Sequence, residues 1–298
     1  MIHKLELISE HRCFAGVQRF YRHDSSAIGL PMRFSVFIPE QAADAQTEAA
    51  QAAAALAKPS RLPVLFFLAG LTCTEETFMI KAGAQRYAAE HGLILVTPDT
   101  SPRGAQVPTE DDNWDFGTGA GFYLDATQAP WSMHYRMESY ITNELFDIVT
   151  TILPGDAQRV GVFGHSMGGH GALVLAQRHR AKFRSVSAFA PIAAPTQCPW
   201  GQKAFGGYLG ANQADWAGYD ASLLMAKSTC PFPDGILIDQ GLADNFLAEQ
   251  LNPQAFEAAC SSAGQPLTLR RHEGYDHGYY FISSFMQDHI VFHAERLG

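Results

Sequence analysis

The sequence predicts an α/β fold: a mostly parallel central sheet, opened by an N-terminal antiparallel pair and covered by helices on both faces. Three observations carry this. After Pro63, short and continuously apolar runs recur at 64–68, 93–98, 160–163, 185–189, 235–239 and 267–271; strands that are apolar on both sides belong between helix layers. Helical stretches separate these runs, which is the alternation that builds parallel sheets. Ahead of them, 14–22 and 32–38 alternate apolar with polar residues around the Gly29-Leu30-Pro31 break, the pattern of an antiparallel pair with one face toward the core.

The helices are expected at 77–91, 138–151, 168–180, 253–263 and 281–297. Two stretches resist this rhythm, 104–131 and 198–225, and both are read as long ordered loops. Their Trp, Tyr and Phe residues favour packing over the carboxyl ends of the strands, where open α/β sheets bind ligands. Residues 42–58, rich in Ala with Gln and Glu, read as a surface insertion without chemistry.

Composition bounds the class. A chain of 298 residues suits one α/β domain around one sheet. Net charge is −9 and the 21 Lys and Arg are scattered, so no basic stripe for nucleic acid or anionic lipid is expected. The first sixteen residues mix charges into their apolar positions, unlike a secretory signal, and the apolar run 62–71 is too short to span a bilayer. A cytosolic protein is the expectation. Five widely spaced cysteines without a C-x-x-C pair suggest neither a disulfide framework nor a zinc site.

The chemistry begins at Gly164-His165-Ser166-Met167-Gly168, a G-x-S-x-G match. Alone, two glycines around a serine make an ordinary turn. Here the motif leaves a predicted strand and opens a predicted helix, the context in which a sharp turn exposes a nucleophilic serine at the top of an α/β-hydrolase sheet. The glycines leave room for the turn, and the helix start offers N–H groups to a developing oxyanion.

A serine hydroxyl needs a base, and in this fold the partners follow in the order Ser, Asp or Glu, His. His277 lies between the last predicted strand and the last helix and is the expected base; His272, at the strand end, is the weaker candidate. His289 and His293 stand four apart on a helix, a spacing that suits a shared metal, but no matching third ligand is apparent and a packed helix surface is the plainer reading. Asp244, in the loop after strand 235–239, is the expected acid, with Asp239 inside the strand as the reserve. The oxyanion should meet the backbone N–H groups of Leu71, after the first buried strand, and Met167. Cys73 is then close to the pocket, and no metal or organic cofactor is needed.

These residues resemble a known family, the S-formylglutathione hydrolases, also called esterase D. The likeness runs through Leu68-Ala69-Gly70-Leu71-Thr72-Cys73-Thr74, Pro98-Asp99-Thr100-Ser101-Pro102-Arg103-Gly104, Gly119-Ala120-Gly121-Phe122-Tyr123, the block from Gly164 to Ala172, Lys203-Ala204-Phe205, and Tyr275-Asp276-His277-Gly278-Tyr279-Tyr280-Phe281. Ala69 and Gly278 stand where the commoner relatives carry Ser. The resemblance implies hydrolysis of S-formylglutathione to formate and glutathione, a cysteine near the nucleophile at Cys73, and a homodimer as a candidate assembly. A general carboxylesterase or acyltransferase on the same scaffold is the rival, and a non-catalytic binding module the more distant one. A formyl group beside glutathione calls for a small acyl pocket next to a polar groove, with Trp114, Phe122, Tyr123, His165, Trp200 and Lys203 as candidate walls.

Overall fold

The computed structural model describes residues 4–40 and 61–298; the expected Ala-rich insertion lies outside them. Among the described residues nine strands form one sheet: β1 Glu6–Cys13, β2 Gly16–Asp24, β3 Pro31–Pro39, β4 Leu62–Leu68, β5 Ile94–Pro98, β6 Gly155–His165, β7 Ser185–Phe189, β8 Ile236–Gly241 and β9 Leu267–His272. Their spatial order is β1-β2-β3-β5-β4-β6-β7-β8-β9. The pairs β1/β2, β2/β3 and β3/β5 are antiparallel, and every pair from β5/β4 to β8/β9 is parallel.

Burial explains why the parallel strands read as unbroken apolar runs. All of β5, β7 and β8 is buried, as is β4 after its first residue. Ser185, Ser187 and Phe189, alternate residues of β7, meet His293 and His289 on the helix Tyr279–Leu297. Side chains alternate across a strand, so the intervening Val186 and Ala188 are buried from the other face, where the helix Met167–Arg178 packs on β4, β6 and β7.

The expectations for the elements needed three corrections. β1 was not anticipated; nearly all of it is exposed, so it has no buried face to impress a period on the sequence. The single helix expected over 77–91 is two, Thr77–Lys81 and Ala84–Glu90, broken where Gly83 takes φ 67°. The expected loop 198–225 contains the helices Pro199–Tyr208, Gln213–Trp216 and Ala221–Ala226. By contrast 104–131 is irregular, with only isolated bridges such as Asn113–Phe116 and Gly117–Ala120.

Candidate active site

The site gathers at the carboxyl ends of β4, β6, β8 and β9. At the end of β6 the chain turns abruptly: Ser166 has φ 57° and ψ −120°, and the helix begins at Met167. Such a backbone conformation is costly for a residue with a side chain and persists where its surroundings over-determine it. Here the Ser166 N–H donates to Phe189 O at 3.0 Å, while Ser166 O accepts from His170 N at 2.9 Å and Ile192 N at 3.2 Å. The two motif glycines are needed for space. A Cβ on Gly164 would come 2.2 Å from Gly168 O, and one on Gly168 would come 1.9 Å from Leu68 O.

His277 and Asp244 come from adjacent loops pressed together. Leu242 N donates to His272 O at 2.9 Å and Ala243 N to Tyr275 O at 2.9 Å; a Cβ on Gly241 would fall 2.4 Å from Tyr275 O. The contact brings His277 Nδ1 to 2.5 Å from Asp244 Oδ2. The Asp244 carboxylate also accepts from Phe246 N at 2.8 Å and Gln240 Nε2 at 3.3 Å. The bond to the carboxylate occupies Nδ1, and Nε2 is the other ring nitrogen.

Ser166 and His277 line one cavity of about 120 Å³, together with Gly70, Leu71, Cys73, Trp114, His165, Trp200, Phe246 and Tyr279. Trp114 and Trp200 meet edge to face at 5.5 Å, and Phe246 sits 5.0 Å from the His277 ring. The His165 ring lies 4.4 Å from that of His277. Burial, reinforced by the neighbouring His277, holds His165 well below the usual imidazole range, so it is a neutral wall. Burial pushes the Cys73 thiol up, against the opposing pull of Thr77 and Tyr279, so it stays protonated near neutral pH.

Of the anticipated pocket residues, Cys73, Trp114, His165 and Trp200 are therefore at the cavity, as is Leu71, the expected oxyanion donor, and three are not. Phe122 and Tyr123 are fully buried behind it. The Tyr123 hydroxyl donates to Ala69 O at 2.7 Å and so braces the loop that carries Leu71; Phe122 packs against His170. Lys203 bonds Asn113 Oδ1 at 3.2 Å and is ion-paired with Asp115, the two neighbours of Trp114. It fastens the Trp114 turn to the helix bearing Trp200. Their aromatic or charged character beside an irregular loop suggested walls, but the loop turned them inward or used them as clasps.

Residues outside the expected set complete the picture. Phe246 and Tyr279 line the cavity, each within two positions of a predicted site residue. Thr100 Oγ1 and Arg103 Nη2 donate to Cys73 O at 2.6 and 3.3 Å, and Thr72 N donates to Gly119 O at 2.9 Å. The blocks at 98–104 and 119–123 thus act by holding the 69–74 loop. Asp239, the reserve acid, is taken up elsewhere: Arg270 binds it through Nε and Nη2, and His272 and His289 approach at 3.2 Å. His289 and His293 are buried and bonded to Ser185, Ser187 and Asp239. All five cysteines are unpaired.

A strained serine at a strand-to-helix elbow, with a carboxylate-bonded histidine across a small cavity, defines a serine hydrolase of the α/β-hydrolase class. The Esterase family model matches residues 25–292. The chain is 49% identical to the S-formylglutathione hydrolase of Rattus norvegicus over 295 residues, 99% of each chain. It is 48% identical to that of Paracoccus denitrificans, over 98% of each. An S-formylglutathione hydrolase structure from Agrobacterium tumefaciens superposes with a TM-score of 0.89 at 46% identity, covering 98% of this chain and 99% of that one. The chain belongs to the esterase family and, within it, to the S-formylglutathione hydrolases.

Proposed function

We propose that this enzyme hydrolyses S-formylglutathione to formate and glutathione, with Ser166 as nucleophile, His277 as general base and acid, and Asp244 as its orienting carboxylate. Ser166 Oγ attacks the formyl carbon as its proton passes to His277 Nε2, and the imidazolium is stabilised by Asp244 through Nδ1. The carbonyl oxygen becomes an oxyanion between the N–H groups of Met167 and Leu71. Met167 is the first residue of its helix, so its N–H has no intrahelical acceptor. Leu71 follows Gly70, whose position lies against Ser166: a Cβ there would be 3.2 Å from the serine Cβ. Collapse of the intermediate breaks the carbon–sulfur bond; the sulfur, a good leaving group, departs with the proton held by His277, so glutathione is released as its thiol and the imidazole is neutral again. Water then gives its proton to His277, attacks the formyl ester, and formate leaves as the proton returns to Ser166.

The observation that carries the substrate reading is the size of the cavity. At about 120 Å³, walled by Trp114, Trp200, Phe246 and Tyr279 around Ser166 and His277, it suits a short acyl group such as formyl better than a long acyl chain. We include a cytosolic homodimer in this reading; no helix among the described residues is long and apolar enough to cross a membrane.

Steady-state kinetics test it. The kcat/KM for S-formylglutathione should exceed that for p-nitrophenyl acetate by at least about 100-fold, ~2.7 kcal/mol of transition-state preference, and fall further for the butyrate ester. A clear preference for the esters would instead make this a general carboxylesterase.

A further inference from the structure

The cavity wall has no cation of its own, yet the leaving group proposed above carries two carboxylates and one ammonium. An anionic ligand approaching a chain of net charge −9 needs a local positive charge to be held. Two lysines adjoin residues that line or flank the cavity. Lys203 is neutralised by Asp115. Lys81, exposed at the end of the helix Thr77–Lys81, has no carboxylate partner among the described residues; its Nζ lies 5.7 Å from the centre of the Tyr279 ring. Tyr279 lines the cavity, and its buried hydroxyl lies beside the Cys73 thiol without accepting or donating a well-formed hydrogen bond. Lys81 is also near enough to act electrostatically on Cys73.

We propose that Lys81, held over the Tyr279 ring at the edge of the catalytic cavity, is the specificity-determining cation that receives a carboxylate of the glutathione moiety. This rests on the S-formylglutathione reading. The geometry suits it: with the thioester beside Ser166 the peptide runs outward, and its carboxylates lie one to two residue lengths, about 3.5 Å each, from the sulfur-bearing residue. Tyr279 spans that interval, with its hydroxyl toward Cys73 and its ring under the ammonium. An ammonium over an aromatic face keeps its outward N–H groups free for a carboxylate.

Two readouts test this. The first is the ratio of kcat/KM on S-formylglutathione to that on p-nitrophenyl acetate, measured at low ionic strength for the wild type, Lys81→Ala, Lys81→Glu and Lys81→Arg. The second is the inhibition constant of S-methylglutathione, a non-hydrolysable thioether, against the ester reaction. Lys81→Ala should lower the ratio about three- to fivefold through KM and weaken S-methylglutathione equally, Lys81→Glu should do so tenfold or more, and Lys81→Arg should restore most of it. A loss of fold would lower both activities and leave the ratio in place. An active wild type whose ratio and inhibition constant are unmoved by Lys81→Glu overturns the assignment alone, whereas a wild type inactive on S-formylglutathione overturns the substrate reading and the assignment with it.

Discussion

At the scale of single residues, the reactive set and its supports differ in what they do to the sequence. The placement of the proposed triad, Ser166 at its elbow and His277 bonded to Asp244, was legible because each sits at a fixed place in the strand–loop order. Phe122 and Tyr123 were misread because an aromatic in an irregular loop carries no sign of which way it points. In the fold Tyr123 turns inward and donates its hydroxyl to Ala69 O. The consequence is testable. Tyr123→Phe removes one buried hydrogen bond, a loss of about 1 kcal/mol in stability, and frees the loop that presents the Leu71 N–H. We expect a several-fold fall in kcat with KM nearly unchanged; an unaltered kcat would leave Tyr123 a packing residue only. Asp244→Asn should be far more damaging, lowering kcat by about 10³- to 10⁴-fold, because the amide favours the wrong imidazole tautomer. A decrease under tenfold in stopped assays would remove Asp244 from the mechanism.

At the scale of elements, the sequence was readable wherever a buried face imposed a period and silent elsewhere. The central parallel strands β4 to β8 stood out as apolar runs, whereas the exposed β1 left no trace. The helix Pro199–Tyr208 buries Trp200, Ala204, Phe205 and Tyr208, a helical spacing, but its glycines hid it. Those glycines answer to packing: a Cβ on Gly201 would meet Pro195 O at 2.1 Å, and one on Gly207 the Phe116 ring at 2.3 Å. The π-helical turns Tyr140–Leu145 and Ile148–Ile152, within the helix expected at 138–151, have no sequence signature we can name. The elbow obeys the same packing logic most severely. Gly168→Ala would drive its methyl into the backbone of β4, where a carbonyl cannot give way as a flexible side chain can. The expected outcome is a fall in thermal midpoint of several degrees, about 2 kcal/mol or more for an added methyl with no space to enter, together with loss of nearly all activity. A variant that melts and turns over like the wild type would mean that the elbow and β4 are less tightly apposed than described.

At the scale of the whole molecule, the buried titratable groups set how the fold meets acid. Burial pushes His170 down to about 4 and also lowers His165, His289 and His293. A histidine kept neutral in the native state binds fewer protons than in the unfolded chain, so stability falls as pH drops through the unfolded value near 6.5 and goes on falling to the folded one. Glu138 acts in a lower window. Burial alone would raise its carboxyl, but hydrogen bonds from His179, Arg178 and Tyr219 outweigh that and hold it at about 2. Its folded value is below the unfolded one of 4.5, so its contribution is complete above about pH 4.5 and is lost as pH falls toward 2. A shift of this size corresponds to roughly 3 kcal/mol, enough to matter in a fold whose net stability is about 5–15 kcal/mol. Urea unfolding monitored from pH 8 to pH 3 should therefore show stability declining in two stages, the first beginning near pH 6.5 and the second below about 4.5. Glu138→Gln should be less stable than the wild type at pH 7, and the gap between them should narrow steadily below about pH 4.5. Parallel curves for the two proteins across that range would show that Glu138 stays unperturbed and that the second stage belongs to other carboxylates.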